Sequence, residues 1–239
     1  MALLEGRKIS KAFGGVQALS QVDFVVERGT IVGLIGPNGA GKTTLFNAVA
    51  GAFKPTTGQV IFDGVDVTGL PANAICRRGM ARTFQVTRPF AAMTCLENVM
   101  VAAINRHPEK PRSFIEALAH EKLSFVGLAE TAAIEARHLN VIQKKRLEMA
   151  RALATEPKLL LLDEVLGGLN TQEIGQAVEF IRSLRDRLEL TVLWIEHVMG
   201  AVMKAAERVI VLDQGQVLMA GSPAEVVTDQ RVIQAYLGE

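Results

Sequence analysis

The stretch Gly36-Pro37-Asn38-Gly39-Ala40-Gly41-Lys42-Thr43-Thr44 fits the pattern G-x-x-x-x-G-K-[ST], and few short sequences narrow a fold so far. The apolar run from Thr30 to Ile35 precedes it, and Thr44 to Ala50 reads as a helix behind it. Strand, loop and helix thus follow in the order a phosphate-binding loop needs. Glycines at 36, 39 and 41 let backbone N–H groups turn inward around phosphate oxygens, and the helix behind adds the positive end of its dipole. Lys42 supplies a point charge for the β- and γ-phosphates, the Thr43 hydroxyl is placed to ligate Mg²⁺, and Asn38 and Thr44 complete the cradle. A chance match in a chain of this size has odds of roughly one in a hundred.

A chain of 239 residues suits one large domain or two closely joined ones. Its charges nearly cancel, at +1, with no block of like sign, so nothing predicts an electrostatic footprint for nucleic acid. Two cysteines, Cys76 and Cys95, point to a reducing compartment; neither has metal-site spacing, and both are expected as buried fillers. No window reaches the ~18 apolar residues of a membrane span, and the start lacks the charge-then-apolar order of a signal peptide, so a cytosolic protein is expected. Yet hydrophobic residues make up 49% and the mean hydropathy is positive, which hints at an apolar surface given to a partner.

Residues 3 to 32 alternate short apolar runs with turn signals and predict antiparallel strands leading into the loop. Within them Phe13 stands beside Gly14-Gly15, followed by Val16; such an aromatic either stacks on a base ring or fills the core. Pro55 to Gly64 reads as turn, strand and second turn. Gln85, after Arg82-Thr83-Phe84, either reaches a metal or water or bonds loop backbone. From about 87 to 155 the pattern is helical, with capping boxes expected at Thr94/Glu97 and Ser113/Glu116 and stops at His107-Pro108 and Gly127. Lys144, Lys145 and Arg146 read as a solvated face.

Leu159-Leu160-Leu161-Leu162-Asp163-Glu164 describes a central parallel strand, buried on both faces, whose carboxyl end reaches the ligand crevice. Asp163 is placed to hold Mg²⁺ through its water shell and Glu164 to polarise the attacking water; the bland alternative is an acidic pair capping the next helix. After a helix from about Gln172 to Arg187, the strand Leu190 to Ile195 delivers Glu196 and His197 to the same edge. A histidine there either bonds a γ-phosphate or is structural. A hairpin turn at Asp213-Gln214-Gly215 and a capping box at Ser222/Glu225 complete the pattern.

Taken together, Phe13, the loop at 36 to 44, Gln85, Asp163-Glu164 and His197 stand in the order and at about the spacings of an ATP-binding cassette (ABC) ATPase, which the chain resembles over nearly its whole length. Arg77 to Gln85, Met93 to Val99, Gly168-Leu169-Asn170, Ile195-Glu196-His197 and Ala235 to Gly238 resemble the ATP-binding subunits of branched-chain amino acid importers. The resemblance implies an α/β fold: a P-loop NTPase (RecA-like) core with an N-terminal antiparallel β subdomain, at 1–86 and 156–239, and an inserted α-helical subdomain at 87–155. It makes Phe13, with Val16, the adenine contact. Gln85 becomes the Mg²⁺ and γ-phosphate sensor, Glu164 the general base, and His197 the γ-phosphate switch.

The same resemblance implies ATP and Mg²⁺, membrane-spanning permease subunits docked near Thr87-Arg88-Pro89-Phe90, and a place on the cytoplasmic face of the inner or plasma membrane. It implies a pair of cassettes with two ATP molecules between the loop of one and the signature of the other. Here the chain departs from the family: Leu139-Asn140-Val141-Ile142-Gln143 stands where Leu-Ser-Gly-Gly-Gln is usual. Each charge-assisted hydrogen bond so forfeited costs about 1.5–3 kcal/mol, and Val141 and Ile142 add branched bulk, although Asn140 is suited to cap the helix. Val165 and Thr171, where proline is usual, depart more mildly. An asymmetric heterodimer with a second ATPase subunit is therefore expected. The alternatives are a soluble ABC ATPase acting on nucleic acid or the ribosome, and a regulatory subunit that binds ATP without turnover.

Overall fold

A computed structural model describes residues 1–83 and 87–237, so Gln85 lies outside the described residues. Two compact units emerge, Met1–Ile75 with Leu161–Glu239, and Cys76–Leu160. In chain order the first half contains β1 (Ala2–Phe13), β2 (Val16–Glu27), β3 (Ile31–Ile35), α1 (Lys42–Val49), β4 (Thr57–Phe62), β5 (Val65–Asp66), α2 (Ala72–Arg77) and β6 (Met80–Arg82). Then follow α3 (Cys95–Arg106), α4 (Arg112–Phe125), α5 (Val141–Leu153), β7 (Leu159–Asp163), α6 (Thr171–Leu188), β8 (Thr191–Ile195), α7 (Met199–Ala205), β9 (Arg208–Asp213), β10 (Gln216–Gly221), α8 (Pro223–Thr228) and α9 (Gln230–Leu237).

In the first unit β1 and β2 pair antiparallel, with Ile9 opposite Val22, and the antiparallel sheet runs β2-β1-β4-β5. From Val22 to Glu27, β2 alternates buried with exposed residues, the period of a strand with one face on the core. The second sheet of this unit reads β10-β9-β3-β8-β7, with β3 parallel to both β8 and β9. All five residues of β3, β7 and β8 are buried, as expected where a parallel sheet is covered on both faces. Because β3 and β8 run parallel and Glu164 N–H, just past β7, reaches the carbonyl of Ile195 at the end of β8, the loop and the acids emerge on one edge. The expected hairpin turn appears between β9 and β10, with Gln214 and Gly215 both at positive φ.

The second unit packs α3, α4 and α5 around Cys95, Val99, Ala103, Ile115, Ala119, Leu123, Leu147 and Ala150, all buried. Thr94 and Glu97 form the capping box the sequence predicts. The box expected at Ser113/Glu116 does not form: α4 begins earlier, at Arg112, with Pro111 as its N-cap and no side-chain cap bond among the described residues. Pro111, at φ −65, is already set for the turn into the helix, so Ser113 falls inside the first turn. The basic-flanked run to Ala154 starts six residues before Leu147, at Val141, because Asn140 caps it. Cys95 is buried, but Cys76, on the short α2, is only half-buried, and both thiols are free.

Asn98 is wholly buried and spends its amide on the approach to α3. Its Nδ2 donates to the carbonyls of Phe90, Met93 and Thr94 at 3.0, 3.2 and 2.9 Å, while Oδ1 accepts from Phe90 N–H at 2.8 Å. Leucine there would leave buried backbone groups unmatched, so Asn98→Leu is expected to lower stability by about 2–4 kcal/mol, measured by urea denaturation. An unchanged midpoint would reject the assignment.

Candidate active site

The phosphate loop is shaped by positive-φ glycines where side chains would not fit. A Cβ on Gly36 would lie 2.1 Å from the Leu212 carbonyl oxygen, and one on Gly41, at φ 99, would lie 2.7 Å from that of Ala18. Gly41 is the N-cap of α1, and no side chain caps it, whereas α3, α5, α6 and α8 all carry side-chain capping boxes. The first N–H groups of α1 therefore have no intrahelical acceptor and suit an anion. Lys42 is buried, and its Nζ donates to the carbonyls of Gly36 and Pro37 at 2.7 and 2.9 Å, which holds the ammonium inside the curve of the loop. Burial pulls that ammonium below the ordinary lysine value, and the negative charge of Glu164 opposes the pull. Thr43, Asn38 and Gly39 are exposed, as groups meeting a ligand must be.

The carboxyl end of β7 supplies the acids. Asp163 is buried, whereas Glu164 turns the chain out of the strand at φ 48 and donates its N–H to the Ile195 carbonyl at 3.0 Å. A left-handed glutamate is strained, a feature concentrated at functional sites. Its Oε1 lies 2.5 Å from His197 Nε2, so with the carboxylate ionised Nε2 carries the shared hydrogen. Helix α6 begins only at Thr171, capped by Asn170 with Glu173. The bland reading of the acidic pair as its cap is therefore excluded.

Phe13 is 49% exposed, which excludes its core reading, and Val16 is 68% exposed. The Phe13 ring meets Phe53 edge-on at 5.4 Å, and Lys11 Nζ sits 5.0 Å from the Phe13 centroid and 4.7 Å from that of Phe53, a fixed aromatic platform at the surface. In the second unit, Asn140 Oδ1 accepts from Gln143 N–H at 2.9 Å and Gln143 Oε1 accepts from Asn140 N–H at 3.0 Å. Val141 is 70% exposed and Ile142 37%.

Residues 19–167 match the family model described as "ABC transporter", more than half of the chain. The chain belongs to the ABC transporter family. Within it, residues 216–239 match the model described as "Branched-chain amino acid ATP-binding cassette transporter". The cassette is 40% identical to the high-affinity branched-chain amino acid transport ATP-binding protein BraF of Pseudomonas aeruginosa, covering 99% of this chain and 98% of that protein. It superposes on the ADP conformation of MJ1267, an ATP-binding cassette of an ABC transporter, with a TM-score of 0.90 at 30% identity and full coverage of both chains. On a dimeric bacterial ABC transporter cassette, MJ0796, the TM-score is 0.82 at 25% identity, covering 92% and 98% of the two chains. ABC cassettes bind ATP or ADP, and this one is an ATPase by family. The expected P-loop α/β fold, with its antiparallel and helical additions, is that of these neighbours.

Sequence reasoning gave no role in this site to two of its residues. Gly215 N–H donates to the Ala40 carbonyl at 3.1 Å, and its own carbonyl accepts from Ser20 N–H at 2.8 Å, so the β9–β10 turn pins the phosphate loop from behind. Its only sequence signal was a turn glycine. Glu196 is buried at 3% exposure and binds two backbone N–H groups near the acids, which nothing in an Ile-Glu-His string reveals. For the loop itself, Gly36→Ala must move the β9 backbone or the loop. It is expected to weaken ATP binding at least about tenfold, equivalent to 1.4 kcal/mol, by calorimetric titration; an unchanged affinity would contradict the close packing against Leu212.

Proposed function

We infer that the chain is the ATP-binding and ATP-hydrolysing subunit of an ABC importer that takes up branched-chain amino acids. The observation carrying this reading is the Glu164–His197 pair, 2.5 Å apart at the ends of two neighbouring strands, with the charge of Glu164 felt by Lys42 at the loop. The roles follow from the chemistry. Loop amides, the open end of α1 and Lys42 bind the phosphates, while Gly36, Asn38, Gly39, Gly41 and Thr44 shape or line the cradle. Phe13, backed by Phe53 and Lys11, offers its remaining surface to adenine, with Val16 beside it.

Glu164 takes a proton from the attacking water as its oxygen bonds the γ-phosphorus and the bond to the ADP oxygen breaks. The hydrogen on His197 Nε2 can serve Glu164 or a γ-phosphate oxygen, so a bound triphosphate competes for it. The donor set of one hydroxyl, Thr43, and one buried carboxylate, Asp163, with Gln85 completing it, suits Mg²⁺ held jointly with phosphate oxygens rather than by a protein cage. When bound, Mg²⁺ neutralises developing phosphate charge.

We further propose that the whole chain, 1–239, is one cassette with its helical subdomain at 87–155, paired with a second ATPase subunit and docked on permease subunits at the cytoplasmic face of the membrane. None of the helices among the described residues is long and apolar enough to cross a membrane itself. Asn140 spends its side-chain oxygen on its own helix, and Val141 and Ile142 crowd the start of α5, so a partner with an intact signature would complete the working site. Likeness to importer subunits along the full chain favours this reading over an ATPase acting on nucleic acid or the ribosome. The complete hydrolytic set favours it over a regulatory subunit without turnover.

Two measurements test it. The chain alone should hydrolyse ATP weakly, and with its co-expressed partner more strongly; Glu164→Gln in this chain should then remove most turnover, at least about tenfold, while ATP still binds. Turnover barely changed would reject the assignment of the working site. Phe90, 44% exposed with the Arg151 guanidinium 5.1 Å from its ring centroid, stands in the expected permease-docking segment. Phe90→Asp should keep ATP binding but lose the permease in a pull-down, and an intact complex would reject that surface.

A further inference from the structure

We propose that Glu196 is a positioning residue for hydrolysis, a buried carboxylate that ties the turn after Glu164 to the backbone of His197. The inference rests on the reading of Glu164 and His197 as the hydrolytic pair. Glu196 follows the last residue of β8 and is 3% exposed, where an acidic side chain survives only with full hydrogen bonding. Its Oε1 accepts from Leu166 N–H at 2.7 Å and its Oε2 from His197 N–H at 2.9 Å. Both are charge-assisted bonds to backbone, short and directional.

Leu166 is two residues beyond Glu164, and His197 is the partner of Glu164 itself. One carboxylate thus fixes, from both sides, the two segments whose side chains meet at 2.5 Å. A third link, Glu164 N–H to the Ile195 carbonyl, ties the same strand ends together. Without the clamp, Glu164 at φ 48 would be free to relax from a conformation that is unfavourable for a residue with a side chain. The distance to its histidine would no longer be set. Misplacement of a reacting group by about 1 Å can cost about a hundredfold in rate, so a group that never touches substrate can govern turnover.

The test uses the full chain with its co-expressed partner. In Glu196→Gln one carbonyl oxygen remains, but the amide N–H₂ must face the second N–H donor. Turnover at saturating ATP and magnesium should fall at least about tenfold, with the Kd for ATP within about twofold. Glu196→Asp, whose shorter reach meets only one of the two donors, should show a smaller loss of the same kind. Combined with His197→Ala, Glu196→Gln should cost less turnover than it does alone, because part of its effect passes through that histidine. Any of three results would overturn the proposal: unchanged turnover, an additive double variant, or a loss of ATP affinity parallel to the loss of rate. Failure of both single variants to fold would assign Glu196 to stability alone and likewise overturn it. If the unaltered complex neither binds nor hydrolyses ATP, the parent reading fails instead.

Discussion

A helix start left without a side-chain cap is the feature on which the site depends. The chain closes four other helix starts with boxes, at Thr94, Asn140, Asn170 and Ser222. At α1 it places Gly41 instead and leaves the first amides open. Open amides near a buried ammonium make a strongly positive concavity. Such a concavity keeps its shape only if the backbone is held from outside. Here the hold comes from Gly215 on Ala40 and from the packing of Gly36 against the Leu212 carbonyl. The hairpin at β9–β10 in this sense braces the loop through its backbone.

The acids approach the loop from the other side for a reason rooted in sheet topology. β3, β8 and β7 lie side by side with wholly buried residues, and their carboxyl ends share an edge. Burial along the strands drives this arrangement, and the polar residues after each strand are delivered as a consequence. At that edge the backbone is strained at Glu164, a glutamate at φ 48 beside a histidine. Buried Glu196, Leu166 N–H and Ile195 O supply the surrounding order.

The start of α5 shows a different compromise. Asn140 with Gln143 gives this helix a complete capping box, a local gain of the kind that contributes ~1 kcal/mol. Two exposed β-branched residues follow it. The start of α5 is thus well made for its own helix and leaves bare apolar groups at its surface.

Much of this was legible before any coordinates. The loop motif, the four-leucine strand running into Asp163-Glu164, the capping signals at Thr94 and Ser222 and the turn at Gly215 are local patterns, and local physics made them where they were expected. Ser113 failed as a cap because a proline two residues upstream had already set the helix entry, a competition between neighbours that a four-residue pattern does not weigh. The residues around Phe13 left its core and stacking readings open until the family resemblance chose between them, since exposure depends on what the rest of the fold leaves uncovered. By itself, then, the sequence determined the phosphate loop, the buried strands that frame it and the identity of the charged residues, because spacing and chain direction suffice for these. Only the tertiary structure decided that Glu164 turns left-handed onto His197, that Glu196 clamps both from within, and that Gly215 braces the loop. Each of those contacts joins segments distant in the chain, and burial selects such pairs without leaving a mark in either segment alone.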